Sequence, residues 1–189
     1  MFTQQIDDEI ALKLKEYQDT ADVFDLIDRS REQLRKWMTW VDEVQSADDV
    51  EKVTRRQLLQ FVKKEAMHFL ILYKGEVAGT ISLKEIDWSI RSAEIGYWLG
   101  SEYTGKGIMT RAVEAMLTYA FEELKLHKVE IWAAEENKKS RRIPDRLGFE
   151  KEGVRRDDEL IDGTYVTMVI YGILEDEWRA GKTCADEKG

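Results

Sequence analysis

Apolar residues recur at two different periods along this chain, and each change of period marks an element. Residues 9–16 (EIALKLKE) alternate apolar and polar, the pattern of a strand with one buried face. From Asp19 to about Trp40 the spacing is helical, with Val23, Leu26, Ile27, Leu34 and Trp37 every three or four positions. A second helix is predicted after the cap-like stretch Ser46–Asp49, with Val53, Leu58, Phe61 and Val62 on one side. The period then falls to two. HFLILYKGEVAGTISLKEID reads as a hairpin, with strands near 67–73 and 77–86 about the turn Lys74–Gly75–Glu76; SAEIGYWLG, 92–100, is a further strand. A glycine-rich turn, Thr104–Gly105–Lys106–Gly107, leads into a helix to about Leu124, its buried stripe being Val113, Met116, Leu117, Ala120 and Leu124. HKVEIWAA, 127–134, follows closely, as a parallel β-α-β unit demands. Asn137 opens a short helix that Gly148 ends. Two strands, about 149–158 and 164–173, surround the turn Ile161–Asp162–Gly163, and a helix is predicted over 174–180. The fold class is α/β: one domain over residues 1–180, a mixed sheet of about seven strands flanked by helices, with 181–189 a disordered tail.

Composition narrows the function more than the fold. The chain has 189 residues, 43% hydrophobic and 35% charged, and a single proline, Pro144, so no linker divides it. No apolar run approaches the roughly 20 residues that span a bilayer, and the opening MFTQQIDDEI has no signal-peptide character, which predicts a cytoplasmic protein with no membrane partner. One cysteine, Cys184, and two histidines, His68 and His127, leave no multi-histidine or cysteine metal centre to build, so no metal is expected. The net charge of −9 repels nucleic-acid phosphates and attracts amines, polyamines and basic protein termini, although an acidic surface also serves plain solubility. The sequence does not set the oligomeric state; a homodimer is compatible with it.

The most informative segment is EYTGKGIMTRA, 102–112. Gly105 and Gly107 can adopt conformations closed to other residues and let main chain approach a ligand. The N–H groups of Gly105, Lys106, Gly107, Ile108, Met109 and Thr110 then point from a helix N-terminus at whatever lies in front, an arrangement suited to a pyrophosphate. The other reading is a turn that is merely tight. Gly100 to Lys106 nearly spells the nucleotide-binding G-x-x-x-x-G-K-[ST], but Gly107 stands where the metal-binding hydroxyl belongs, and G-x-G-x-x-G is not completed either.

AEIGYWLGSEYTGKGIMTRAV, followed by EIWAAEENKKSRRIPDRLGFEKEG, resembles the GNAT N-acetyltransferase superfamily, and within it the RimJ/RimL-like branch that acetylates N-terminal amines of ribosomal proteins. The similarity covers about residues 5–178. It implies a mostly antiparallel sheet splayed between the fourth and fifth strands, with acetyl-coenzyme A as donor. Its pyrophosphate would lie on the 105–110 turn and its pantetheine between strands 92–100 and 127–134, with Trp98, Leu99, Thr104, Asn137 and Lys139 also at the cofactor. Two departures stand out: Thr104 replaces the usual Gln or Arg, and Pro144 occupies the position where many members place a tyrosine acid.

Acetyl transfer needs a neutral amine, a polarised thioester carbonyl and a stabilised leaving thiolate. An α-amine of pKa about 7.8 is about 14% neutral at pH 7, and a lysine roughly 0.04%. A protein N-terminus therefore needs only a modest base. Glu94 is the base candidate, since it shares a strand face with Gly96 and Trp98; an inert surface glutamate is the other reading. Main-chain N–H groups around Trp98–Leu99 are candidates for polarising the carbonyl. Asn137 is an apt helix N-cap, and the resemblance adds a bond to the pantetheine. Ser140, one turn later, is the hydroxyl the resemblance places at the departing sulfur. At helical spacing Trp37 and Trp40 read as core; the resemblance instead places their segment at the acceptor mouth, where their rings would line a slot, with Trp88 a weaker member of the same set. The expected reaction is transfer from acetyl-CoA to an N-terminal amine, with polyamine acetylation, or acyl-CoA binding without turnover, as alternatives.

Overall fold

The computed structural model describes residues 3–186. Their elements run β1 (Thr3–Gln5), β2 (Ile10–Leu14), α1 (Thr20–Arg35), α2 (Ala47–Val62), β3 (Met67–Tyr73), β4 (Glu76–Asp87), β5 (Ser92–Leu99), α3 (Ile108–Thr118), β6 (Lys128–Ala134), α4 (Lys138–Arg146), β7 (Glu150–Ile161), β8 (Thr164–Leu174) and α5 (Glu175–Asp186). The strands form one mixed sheet in the order β1-β2-β3-β4-β5-β6-β8-β7. It has eight strands where about seven were predicted. The extra one, β1, is three exposed residues held on β2, too short and too polar to show a period.

Every neighbouring pair is antiparallel except β5 and β6, whose parallel connection is made by α3. Their ladder runs only from Ser92–Lys128 to Ile95–Ile131, after which the strands part. The splay therefore falls between the fourth and fifth predicted strands. One face of the sheet carries the larger core: Ile81, Leu83, Ala93, Ile95, Val129 and Ile131 pack with Ile108, Ala112, Val113 and Met116 of α3. Under α1 and α2 lies a smaller cluster, Val23, Ile27, Val44, Val50 and Leu70. A cleft opens on this thinner side.

Four element predictions need correcting. Helix α1 stops at Arg35, five residues short of Trp40. Trp37 and Met38 both donate to Leu34 O at 2.9 Å, a closing turn, and Arg31 ties the following loop down through Val41 O (2.6 Å) and Val44 O (2.8 Å). Helix α2, capped by Ser46 as expected, buries Val50 and Thr54 rather than Val53, Leu58, Phe61 and Val62; Val62 is 77% exposed. No residue of its second half is fully buried. The helix predicted to reach Leu124 changes at Tyr119–Glu123 to a π-helical turn, and this wider turn keeps Ala120 and Phe121 fully buried. Helix α5 runs past 180 to Asp186, into the stretch expected to be a disordered tail; Lys182 docks it on Thr118 Oγ1 (3.3 Å) and over the Trp178 ring (4.1 Å). Residues 187–189 of that stretch lie outside the described residues.

Candidate active site

The glycine-rich turn has the predicted backbone. Gly105 has φ +80° and Gly107, the residue before α3, φ +72°, both in the left-handed region that favours glycine. No atom lies within 4 Å of where a side chain would begin at either position, so open space lies before the turn. The first helical bond is Arg111 N–H to Gly107 O (3.3 Å), which leaves the amides of Ile108, Met109 and Thr110 without a helical acceptor. Ile108 and Met109 are anchored in the core. Lys106 Nζ stands 5.4 Å from the Tyr73 ring centre and 5.5 Å from that of Tyr103. Arg111 fixes the turn from behind: its guanidinium binds Asp7 (2.8 Å), Glu9 (3.3 Å) and the Lys106 carbonyl (3.4 Å). Thr104 sits extended in front of Gly105, its hydroxyl donating to Ser101 O (3.0 Å).

Where β5 leaves β6, its amides face the gap. Gly100 N–H turns to Ala78 O (2.9 Å), and a Cβ on Gly79 would run into Trp98 O, so the even-numbered residues of this stretch bond toward β4. Alternation then turns the N–H groups of Tyr97 and Leu99 into the gap. Of the predicted pair, Leu99 is so placed and Trp98 is not; Tyr97 takes its position.

A cavity of about 780 Å³ runs from this gap along the α1–α2 side of the sheet and brings together Glu94, Trp98, Asn137, Ser140, Trp37 and Trp40. Trp40 and Trp98 meet with ring centres 5.9 Å apart. Glu94 is 15% exposed and bonded to Lys84 Nζ at 2.8 Å. Burial pushes its carboxyl above the usual range, with Lys84 pulling the other way. Leu99, Lys139 and residues 104–110 do not line this cavity. Trp88 does not line it either: it sits in the turn after β4, where its indole N–H donates to Lys64 O (2.7 Å). Lys139 is exposed on α4.

Asn137 Oδ1 accepts the Ser140 amide at 3.2 Å, the predicted cap. The hydrogen bond that Pro144 takes out of α4 is replaced locally. Pro144 has no N–H for Ser140 O, and the Tyr97 hydroxyl donates to that carbonyl instead (3.2 Å). The same hydroxyl stands 3.2 Å from Ser140 Oγ. Burial pushes Tyr97 up to about 12, so it stays a proton-bearing phenol. Tyr97 thus joins the site unannounced by any sequence motif. So do Lys84, and Trp132, whose ring is covered by the Arg155 guanidinium at 5.0 Å. The proline offered one signal: a carbonyl freed in a helix calls for a foreign donor.

Among the described residues no group of three or more His, Cys, Asp and Glu side chains could hold a metal, and no helix is long and apolar enough to cross a membrane.

Comparison with known proteins gives this geometry a context. The sequence profile of the acetyltransferase (GNAT) domain matches residues 11–150. YdaF of Bacillus subtilis strain 168, named provisionally as a ribosomal N-acetyltransferase, is 38% identical over 183 residues, 96% of this chain and 100% of that protein. The spermidine N(1)-acetyltransferase of Escherichia coli K12 is 34% identical over 112 residues, 59% of this chain and 60% of that one. A crystal structure of the microcin C7 self-immunity acetyltransferase MccE in complex with acetyl-CoA and AMP has 28% identity and a TM-score of 0.86, over 89% of this chain and 94% of that chain.

Proposed function

The chain belongs to the GNAT acetyltransferases, which use acetyl-CoA, and we propose that its acceptor is the N-terminal α-amine of a protein, of the ribosomal kind named for YdaF, in the cytoplasm. The observation that carries this reading is that Glu94, on β5 beside the splay, is the half-buried carboxylate offered there, while the cleft's other half-buried carboxylates, Asp49, Asp158 and Glu159, sit on α2 and β7. That equipment suits an amine already partly neutral at pH 7; a lysine would need about 4.6 kcal/mol of deprotonation.

In this reading the open turn holds the donor's pyrophosphate on the main-chain N–H groups from Gly105 to Thr110, with Lys106 adding charge. The pantetheine enters the gap between β5 and β6, past Asn137. Trp37 and Trp40 wall the acceptor's end of the cleft. Glu94 takes the amine proton, directly or through water, as nitrogen attacks the thioester carbon. The gap-facing amides of Tyr97 and Leu99 hold the resulting oxyanion. The C–S bond then breaks, and Ser140, backed by Tyr97, gives the thiolate its proton and regains one from solvent, to which Glu94 releases the proton taken from the amine. Glu94, Tyr97 and Ser140 line the same cleft, so in this reading base and acid both face the reacting carbon.

A polyamine is the second reading, favoured by the spermidine enzyme's likeness and the charge of −9. Incubation with acetyl-CoA and either a Ser- or Ala-starting peptide or spermidine, following thiol release, separates them. Release with the peptide alone is expected; release with spermidine alone sinks the first reading.

A further inference from the structure

The far end of the cleft has a chemistry opposite to that of Glu94, and no step of the transfer uses it. Residues directly opposite on antiparallel strands share a face. The register aligns Lys15, His68, Ser82 and Gly96 in one row across β2, β3, β4 and β5, and all four line the cavity. Lys15 is 6% exposed, yet among the described residues its ammonium is hydrogen-bonded only to the amide oxygen of Gln57, at 3.1 Å. Its neighbour Asp19 is already committed to Lys13 Nζ and to the Glu16 N–H (2.9 Å). Burial brings Lys15 down to about 8, so about nine-tenths of it is still charged at pH 7. His68 Nε2 is buried with no hydrogen-bond partner among the described residues. The charges acting on His68 are Lys15, Lys84 and Arg56, all positive. Of these, Lys84 is neutralised by Glu94, while Arg56, on the exposed side of α2, has no carboxylate partner among the described residues.

A buried unsatisfied nitrogen flanked by cations is a site waiting for an anionic oxygen. Strands lie about 4.8 Å apart, so two intervals separate His68 from the splay at Gly96 by about 10 Å. In an extended peptide rising about 3.4 Å per residue, the third Cα lies about 7 Å from the N-terminal amine, and an acidic side chain covers the rest. Residues one and three also point to the same side of such a chain.

We infer that Lys15, His68 and Arg56 form a carboxylate-binding site that selects acceptors with Asp or Glu at the third residue. This rests on the reading that the acceptor is a polypeptide N-terminus. The carboxylate takes the Lys15 Nζ–H, the His68 Nε2–H and the Arg56 guanidinium, while a polyamine would set a second ammonium against the same three groups. The whole surface attracts cations, but this corner rejects them.

The test uses three peptides that start with Ser and differ only in Glu, Gln or Lys at position three, each followed by thiol release with acetyl-CoA. The expected order of kcat/KM is Glu, Gln, Lys, with at least tenfold between the ends, carried by KM. Arg56→Ala, an exposed helix change that leaves the fold intact, and His68→Gln are each expected to cut that ratio at least threefold. Equal turnover of all three peptides by the wild-type protein, or a preference for Lys, overturns the site and leaves the peptide reading standing. A wild-type preference that survives both substitutions also overturns it. Acetylation of spermidine with none of any peptide overturns both.

Discussion

The turn proposed for the donor and the cleft proposed for the acceptor lie on opposite faces of one parted sheet, and they are made of different material. The turn is eleven consecutive residues, 101–111, in which main chain does the work: two left-handed glycines, unbonded amides and a helix start. The cleft is assembled from α1, α2, six strands and α4, and there side chains do the work: Glu94 against Lys84, Tyr97 against Ser140, and His68 Nε2 with no partner among the described residues. A site of backbone tolerates changes in side chains but not in conformation. A site of side chains behaves the other way.

The largest effect should come from breaking conformation. Gly107→Val puts a β-branched residue at φ +72° and pushes its branches into the open space before the turn. Calorimetry with CoA should register no binding, while circular dichroism still reports a folded protein. Unchanged affinity would remove the donor turn from the reading.

The cleft side should answer to pH instead. His68 titrates at about 4 in the folded chain because it is buried among cations, against about 6.5 when unfolded. Between those values the unfolded chain binds the proton and the folded one does not, so stability falls as pH drops from 6.5 to 4 and is flat below. The loss is about 3 kcal/mol. Urea midpoints of the wild type and His68→Gln, taken at pH 7 and pH 4, should differ in slope by most of that amount; parallel shifts would mean that His68 is not desolvated.

What could be read in advance follows the same division. Ser46 and Asn137 cap their helices, and the turns Lys74–Gly75 and Asp162–Gly163 close their hairpins, because each is set by a few neighbours in the chain. The parting of β5 from β6 came with the family resemblance, and the structure bears it out. The end of α1 was not legible, since it depends on Arg31 reaching carbonyls ten and thirteen residues away. The buried face of α2 was misplaced because apolar spacing alone does not say how much of a helix is covered. Tyr97 was missed because its partner lies 43 residues on and becomes one only through the carbonyl that Pro144 leaves free. Trp88 looked like the other tryptophans until its turn was seen to hold it against Lys64.

Replacing the two hydroxyls tests whether they act as a pair. Ser140→Ala is expected to lower kcat about 30-fold and Tyr97→Phe about tenfold, within the range general acids supply. The double variant should lose little more than Ser140→Ala, because Tyr97 acts through Ser140. Fully multiplicative losses in single-turnover thiol release would make them independent groups.

The smallest effect, and the one most informative about the comparison, belongs to Glu94→Gln. In the proposed reaction Glu94 serves as a base only above its own raised pKa, and it is needed only while the amine, with pKa about 7.8, is still protonated. The loss on substitution is therefore confined to the pH window between the two and amounts to about tenfold, close to the roughly 1 kcal/mol that deprotonating an α-amine costs at pH 7. At pH 9 the variant should run at nearly the wild-type rate, and CoA affinity should be unchanged throughout. Lys84→Met sharpens the point: without the ammonium at 2.8 Å the carboxyl rises further, so the acid edge of the window should move up while the alkaline edge stays at the amine's own pKa. A wild-type pH profile in Glu94→Gln, or an acid edge that ignores Lys84, would take this carboxylate out of the reaction and leave the cleft's chemistry to water.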